Sequence, residues 1–145
     1  MRIIAVLTFV LIGAINTTIA SDSFFNKQVA PLLVKHCIEC HNANDFKGKL
    51  DLQSKAGFLK GGELGLVFNG TAPEDSAILQ RIQADEMPPE HPLAENEKAI
   101  LKQWVEAGAN WETDLINIFE YSNPNRAGYD WWALQPLRTP VPPSR

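Results

Sequence analysis

Cys37 and Cys40 are the two cysteines of this 145-residue chain, three positions apart, and His41 follows the second directly. Three chemistries use a cysteine pair at this spacing. A thioredoxin-like redox couple needs a strand before it and a βαβ setting after it, and the flanking sequence offers neither. A zinc site needs about four ligands. His36, His41 and His91 are the histidines available to join the thiolates, and there is no second cysteine pair. A disulfide staple would close a very short loop and stiffen little of the fold. Covalent haem attachment is the chemistry that requires the histidine where it stands. Two thiols at this spacing reach the two vinyl-derived carbons of one porphyrin, and the next residue lies beneath the ring, where its imidazole ligates the iron. The pattern predicts one haem c tethered through Cys37 and Cys40, with His41 as proximal ligand.

The iron of such a group has a second axial position, and methionine sulfur there raises the potential relative to a second histidine. Met1 belongs to the leader described below, which leaves Met87. Met87 stands in "DEMPPEHP", where Pro88 biases it away from helix and two prolines with fixed φ stiffen the loop. Met87 is the expected sixth ligand. Filling a core gap is the plainer role of a methionine, and His91, four residues on, competes for the iron. His36 is expected to face solvent. Phe46, Leu50, Leu52, Ile82, Leu101 and Trp104 are candidates to surround the ring, although each would serve equally as core. Arg81 suits a haem propionate or, more simply, a surface ion pair.

The elements that must position these residues are helical. Between Phe24 and His36, the residues Phe25, Val29, Leu32 and Leu33 fall at helix spacing. Pro31 must either kink that helix or open a second one. "LDLQSKAGFLKGG" predicts one short helical turn ended by Gly61. "TAPEDSAILQRIQ" has a capping-box pattern, Thr71 three before Glu74, with Ile78, Leu79 and Ile82 on the buried side. "AENEKAILKQWVEAGAN" puts Ile100, Leu101, Trp104 and Val105 on one face, acids at its start and Gly108 at its end. Convincing strands are absent, so the expected fold is all-α, helices joined by long irregular loops. From about Glu112 the composition changes, and the tail with Trp131, Trp132, Pro136, Pro140, Pro142 and Pro143 reads as an extended docking segment. The expected organisation is a leader at 1–20, a domain at 21–112 and a Trp/Pro-rich tail or linker at 113–145.

"MRIIAVLTFVLIGAINTTIA" has the parts of a secretory signal: Arg2, an apolar run over 3–15, and a small-x-small site ending at Ala20. Its apolar run is short of the ~20 residues a membrane span needs. Export to the periplasm or beyond is the expectation, with an uncleaved anchor as the alternative. The formal net charge is -4; loss of residues 1–20 removes Arg2 and no acid, leaving 12 cations against 17 acids, or -5. That balance argues against nucleic acid as a partner and fits encounter with a basic redox partner. No nucleophile–base constellation suggests an enzyme; Ser76 and Glu74 read as caps.

"CIECH", "MPP" and the closing "WVEAGANW" resemble a small single-haem class I-like cytochrome c of the methionine–histidine type. More narrowly, "KGKLDLQSKAGFLKGGELG", "DSAILQRI" and "MPPEHPLAENEKAILKQWVEAGANW" resemble the planctomycete-type cytochrome c domain, over about residues 24 to 112. The resemblance implies a small cytochrome c-like fold around one covalent haem, and an exported electron carrier that exchanges electrons with redox partner proteins. It also implies that a segment like "DWWALQPLRTPVPP" leads into further domains of a longer protein. Two other functions compete with electron transfer. One is a haem-based sensor or redox-enzyme domain in which Met87 yields to a small ligand. The other is a docking module of a larger hydrolytic assembly, attached through the 113–145 tail.

Overall fold

The computed structural model describes residues 23–137. The expected leader, its cleavage after Ala20, and Pro140, Pro142 and Pro143 of the tail lie outside the described residues. Four α-helices organise what is described: α1 (Ala30–His36), α2 (Lys55–Lys60), α3 (Ala77–Gln83) and α4 (Glu95–Glu106). Among the described residues there is no strand, and isolated bridges such as Ser54–Leu115 stand in for a sheet. The chain is all-α.

The second option is the one realised for Pro31. It lies in the first turn of α1, where its missing N–H would have no intrahelical partner anyway. The chain enters that turn through a π-helical turn, Phe25–Val29, in which the Ala30 N–H reaches the Phe25 carbonyl. One residue on, this register would pair a residue-31 N–H with the Asn26 carbonyl. The Tyr121 hydroxyl donates to that carbonyl instead, at 3.1 Å, so the group stays satisfied.

α2 begins at Ser54, whose Oγ accepts the Gly57 N–H at 3.0 Å. It ends at Gly61, as expected: φ is +77°, and a Cβ there would lie 2.4 Å from the Gly65 carbonyl oxygen. The capping box expected at Thr71 and Glu74 does not form. Asn69 Oδ1 takes the Thr71 hydroxyl and the backbone N–H groups of Thr71 and Ala72, turning the chain early. Pro73–Asp75 is then a short 3₁₀ turn, and α3 starts after Ser76. Ser76 is fully buried, with its Oγ accepting the Asn69 N–H at 3.0 Å. α4 follows the expected register, with Leu101, Trp104 and Val105 buried and Ile100 half-buried.

α4 packs across the π-helical turn and against α3. At its centre lies an aromatic cluster in which Phe58 has ring centroids 5.2 Å from Trp104 and 5.6 Å from Trp111, and Phe25 lies 4.9 Å from Trp111. Val29, Leu33, Leu79 and Leu101 surround it at 0–1 % exposure, each such side chain contributing about 1.5–3 kcal/mol by burial. The core continues past residue 112: Ile116 is 1 % exposed within the same cluster. Beyond it the described part of the tail, to residue 137, is not one extended segment. It folds into turns at Ile118–Glu120, at Asn123–Arg126 and at Trp132–Leu134.

Candidate haem-attachment site

α1 ends at His36, and the next five residues close one tight turn. The Cys40 and His41 N–H groups both donate to the Cys37 carbonyl, at 3.2 and 3.0 Å. This brings two free thiols and one imidazole together at the mouth of a helix. Cys37 packs against the core, and burial, with the neighbouring Cys40, pushes its thiol up to about 12. A thiol held protonated at neutral pH is a poor partner for thiol–disulfide exchange, which needs thiolate. Cys40 is the more open of the two, and its sulfur lies 3.5 Å from Lys47 Nζ. That hydrogen bond, with the Cys40 charge and the carboxylates of Asp45 and Glu90, raises the Lys47 ammonium.

His41 is oriented by a group that no side-chain pattern announces. Its Nδ1 lies 2.9 Å from the Lys47 carbonyl oxygen, so Nδ1 carries the proton and donates. Nε2 is then the unprotonated nitrogen, the tautomer a metal ligand needs. The loop that supplies this carbonyl is itself fixed, because the Lys47 N–H donates to the Cys40 carbonyl at 3.2 Å and the Leu52 N–H to the His41 carbonyl at 2.9 Å. Asn42 completes it, with Nδ2 donating to the Ile38 carbonyl at 2.6 Å and Oδ1 accepting from the Asn44 and Asp45 N–H groups.

Met87 stands on a different element, the loop after α3. Its N–H donates to the Arg81 carbonyl at 3.3 Å, and its side chain is 36 % exposed, so it does not fill a core gap. Lys98 of α4 ties this loop down, reaching Asp85 at 2.8 Å and Glu95 at 2.9 Å. Glu90, three residues beyond Met87, is among the carboxylates that raise the Lys47 ammonium. His91 is exposed on the same loop. Arg81 pairs with Glu86 at 2.9 Å, the simpler of its two expected roles.

The other expectations divide cleanly. Leu52, Ile82, Leu101 and Trp104 are core, at 1–5 % exposure, and Trp104 donates its indole N–H to the Asn110 carbonyl. Phe46 (42 % exposed) and the half-buried Leu50 keep apolar surface available beside His41. His36 does not face solvent: its Nε2 donates to Glu97 Oε1 at 3.1 Å, with 13 % of its side chain exposed. Lys35 Nζ reaches the same oxygen at 3.0 Å. Partial burial opposes the Glu97 charge, but hydrogen bonds from Lys35, the Ala94 N–H and His36 outweigh it and hold the carboxyl down at about 2. The sequence reading missed this triad, although a lysine–histidine pair beside the cysteines and an acid in the first turn of the last helix were its visible halves.

The donor set suits a covalently held haem: two unpaired thiols in one turn, an imidazole with its tautomer fixed, and a partly exposed thioether on a tethered loop. Among the described residues no three His, Cys, Asp or Glu side chains gather as a metal site. No helix among them is long and apolar enough to cross a membrane. No curated protein and no solved structure matches the chain. The family model of planctomycete cytochrome C matches residues 37–91, from Cys37 through the Met87 loop to His91. Over that stretch the chain is similar to the planctomycete cytochrome C family, which supports reading it as a haem-binding domain.

Proposed function

We propose that this chain is an exported electron-transfer protein or domain carrying one haem c, tethered through Cys37 and Cys40, with His41 and Met87 as axial ligands. The observation that carries the reading is the His41 imidazole, held at Nδ1 by the Lys47 carbonyl and presenting Nε2 one residue after a pair of free thiols. When bound, the haem iron supplies a one-electron couple. The residues of the chain do the rest: Lys47 keeps the proximal imidazole in one tautomer, Met87 occupies the sixth position, and Phe46 and Leu50 keep water from the ring. An iron with both axial positions filled by protein has no place for substrate, which favours electron transfer over catalysis. Redox partner proteins supply and accept the electron, and the 113–145 tail joins the domain to a docking partner or to further domains. Export fits the leader pattern and the need to attach c-type haem outside the cytoplasm.

A visible spectrum of the reduced, denatured protein tests the reading. The full chain is expressed with its leader beside a haem-attachment system. Haem that survives denaturation and acid–acetone extraction is the expected result. Complete loss of haem on extraction would overturn the assignment. A resting protein that binds carbon monoxide on reduction would favour the sensor or redox-enzyme reading instead.

A further inference from the structure

Glu39 sits between the two tethering cysteines, and its carboxylate is held from 86 residues away. Asn125 Nδ2 donates to Glu39 Oε1 at 2.9 Å and to Oε2 at 3.1 Å. We propose that residues 115–130, which lie beyond the matched family region, form a clamp on the cysteine turn, with Asn125 as its positioning residue. The proposal rests on the haem-attachment reading for its purpose, and on the geometry below for its existence.

The clamp is built to hold Asn125 still. The Asn125 N–H donates to Asn123 Oδ1 at 2.9 Å, within a turn closed by the Asn123 N–H on the Arg126 carbonyl at 2.9 Å. Arg126 Nη2 donates to the carbonyls of Ile118 and Tyr121, and its guanidinium lies 5.2 Å from the centroid of the Phe119 ring. Gly128 lets the strands of the loop meet, since a Cβ there would fall 2.2 Å from the Tyr121 carbonyl carbon. The clamp is rooted in the body at two points. Ile116 and Gln53 exchange hydrogen bonds, N–H to carbonyl at 2.9 Å and Nε2 to carbonyl at 3.2 Å. Tyr121 donates to the Asn26 carbonyl in the π-helical turn before α1, 95 residues away.

The clamp does not lie flush on the cysteine turn. A cavity of about 290 Å³ separates them, with Ile38 and Asn42 on one wall and Ile118, Asn123 and Arg126 on the other. The Glu39–Asn125 contact spans the two sides and tethers the exposed part of the turn, while Cys37 and Ile38 pack its other side against the core. On its other flank the turn is held by the Lys47 carbonyl on His41. Two thiols that must both meet one rigid ring lose less freedom on capture when the residue between them is already fixed.

The experiment uses the full chain, expressed beside a haem-attachment system, as wild type, Asn125→Ala, Asn125→Asp and Glu39→Gln. Residue-resolved amide exchange and acid–acetone-resistant haem under limiting haem supply are both measured. Asn125→Ala and Asn125→Asp are expected to raise exchange at residues 38–45 by about 3- to 10-fold, the loss of one charge-assisted hydrogen bond. Amides of α4 should be unchanged, and the fraction of chain retaining haem should fall. Glu39→Gln keeps an acceptor oxygen and should retain most of the protection. Unchanged exchange at 38–45, or a rise matched in α4, overturns the clamp. Faster exchange with undiminished haem attachment overturns its purpose. Absence of resistant haem in the wild type itself defeats the haem reading, while the exchange result still decides whether the clamp exists.

Discussion

Glu97→Gln tests how much the last helix contributes to holding the end of α1 just before the cysteine turn. Glu97 caps its own helix through the Ala94 N–H and receives Lys35 and His36 on its other oxygen. Its carboxyl is held at about 2 against an ordinary 4.5. Taken at face value, that depression amounts to about 3 kcal/mol at 1.36 kcal/mol per pKa unit. Lys35 is 46 % exposed, however, and solvent screens the pair. About 1 kcal/mol is the expected cost of Glu97→Gln at pH 7. Because the folded value lies below the unfolded one, the stabilisation is fully present above pH 4.5 and drains away as the pH falls from there toward 2. Denaturant unfolding of wild type and variant at pH 7, 4 and 2.5 is the assay, with the difference between them expected to shrink at each step. A difference that stays constant from pH 7 to 2.5 would refute the claim that the ionised carboxylate is what stabilises this contact.

Met87→Ala should lower the reduction potential and let the reduced protein bind carbon monoxide, since the sixth position loses its sulfur. An unchanged potential without carbon monoxide binding removes Met87 from the iron. Phe58→Ala, at a site 1 % exposed and in contact with three aromatic rings, should cost about 3–5 kcal/mol in denaturant unfolding. A loss below about 1 kcal/mol would mean that the aromatic cluster collapses to fill the space. Gly128→Ala would drive a Cβ into the Tyr121 carbonyl. Limited proteolysis should then cut faster within residues 117–130 while the midpoint of core unfolding stays put; an unaltered cleavage rate would show that the loop relaxes around the methyl group.

The helices were legible wherever apolar spacing alone decides them. The Leu101–Trp104–Val105 stripe of α4 and the Phe25–Val29–Leu33 stripe before the cysteines both pack as their spacing predicts. The reading failed where a polar side chain competes for backbone groups. Thr71 and Glu74 have the letters of a capping box, but Asn69 takes the Thr71 N–H that Glu74 would cap, and the Thr71 hydroxyl with it, and the helix begins five residues later. The described part of the tail was illegible for the same reason: Asn117, Ser122, Asn123 and Arg126 close residues 117–128 into turns through side chain–backbone bonds that leave no periodic trace. Trp104 was open between two roles because burial beside a porphyrin and burial in a core demand the same residue. The rings of Phe25, Phe58 and Trp111 around it place it in the core.

The candidate site divides along a similar line. Cys37, Cys40 and His41 stand out in the sequence because, under the haem reading, one macrocycle would fix the spacing of all three along a single turn. The Lys47 carbonyl that orients His41 could not, since any residue brings a carbonyl and only the path of the chain decides whose it is. Met87 stands between these cases. Its two prolines mark a stiff loop, but what holds that loop is scattered over the chain: Lys98 on Asp85 and the Met87 N–H on the Arg81 carbonyl. Each is a modest interaction at or near the surface, so the distal side should be softer than the proximal one. Loosening it at Lys98 should therefore disturb the sixth position while leaving the tethers and His41 in place. Lys98→Ala should accordingly raise carbon monoxide binding without reducing acid–acetone-resistant haem, and a loss of both together would mean that the two sides of the site stand or fall as one unit.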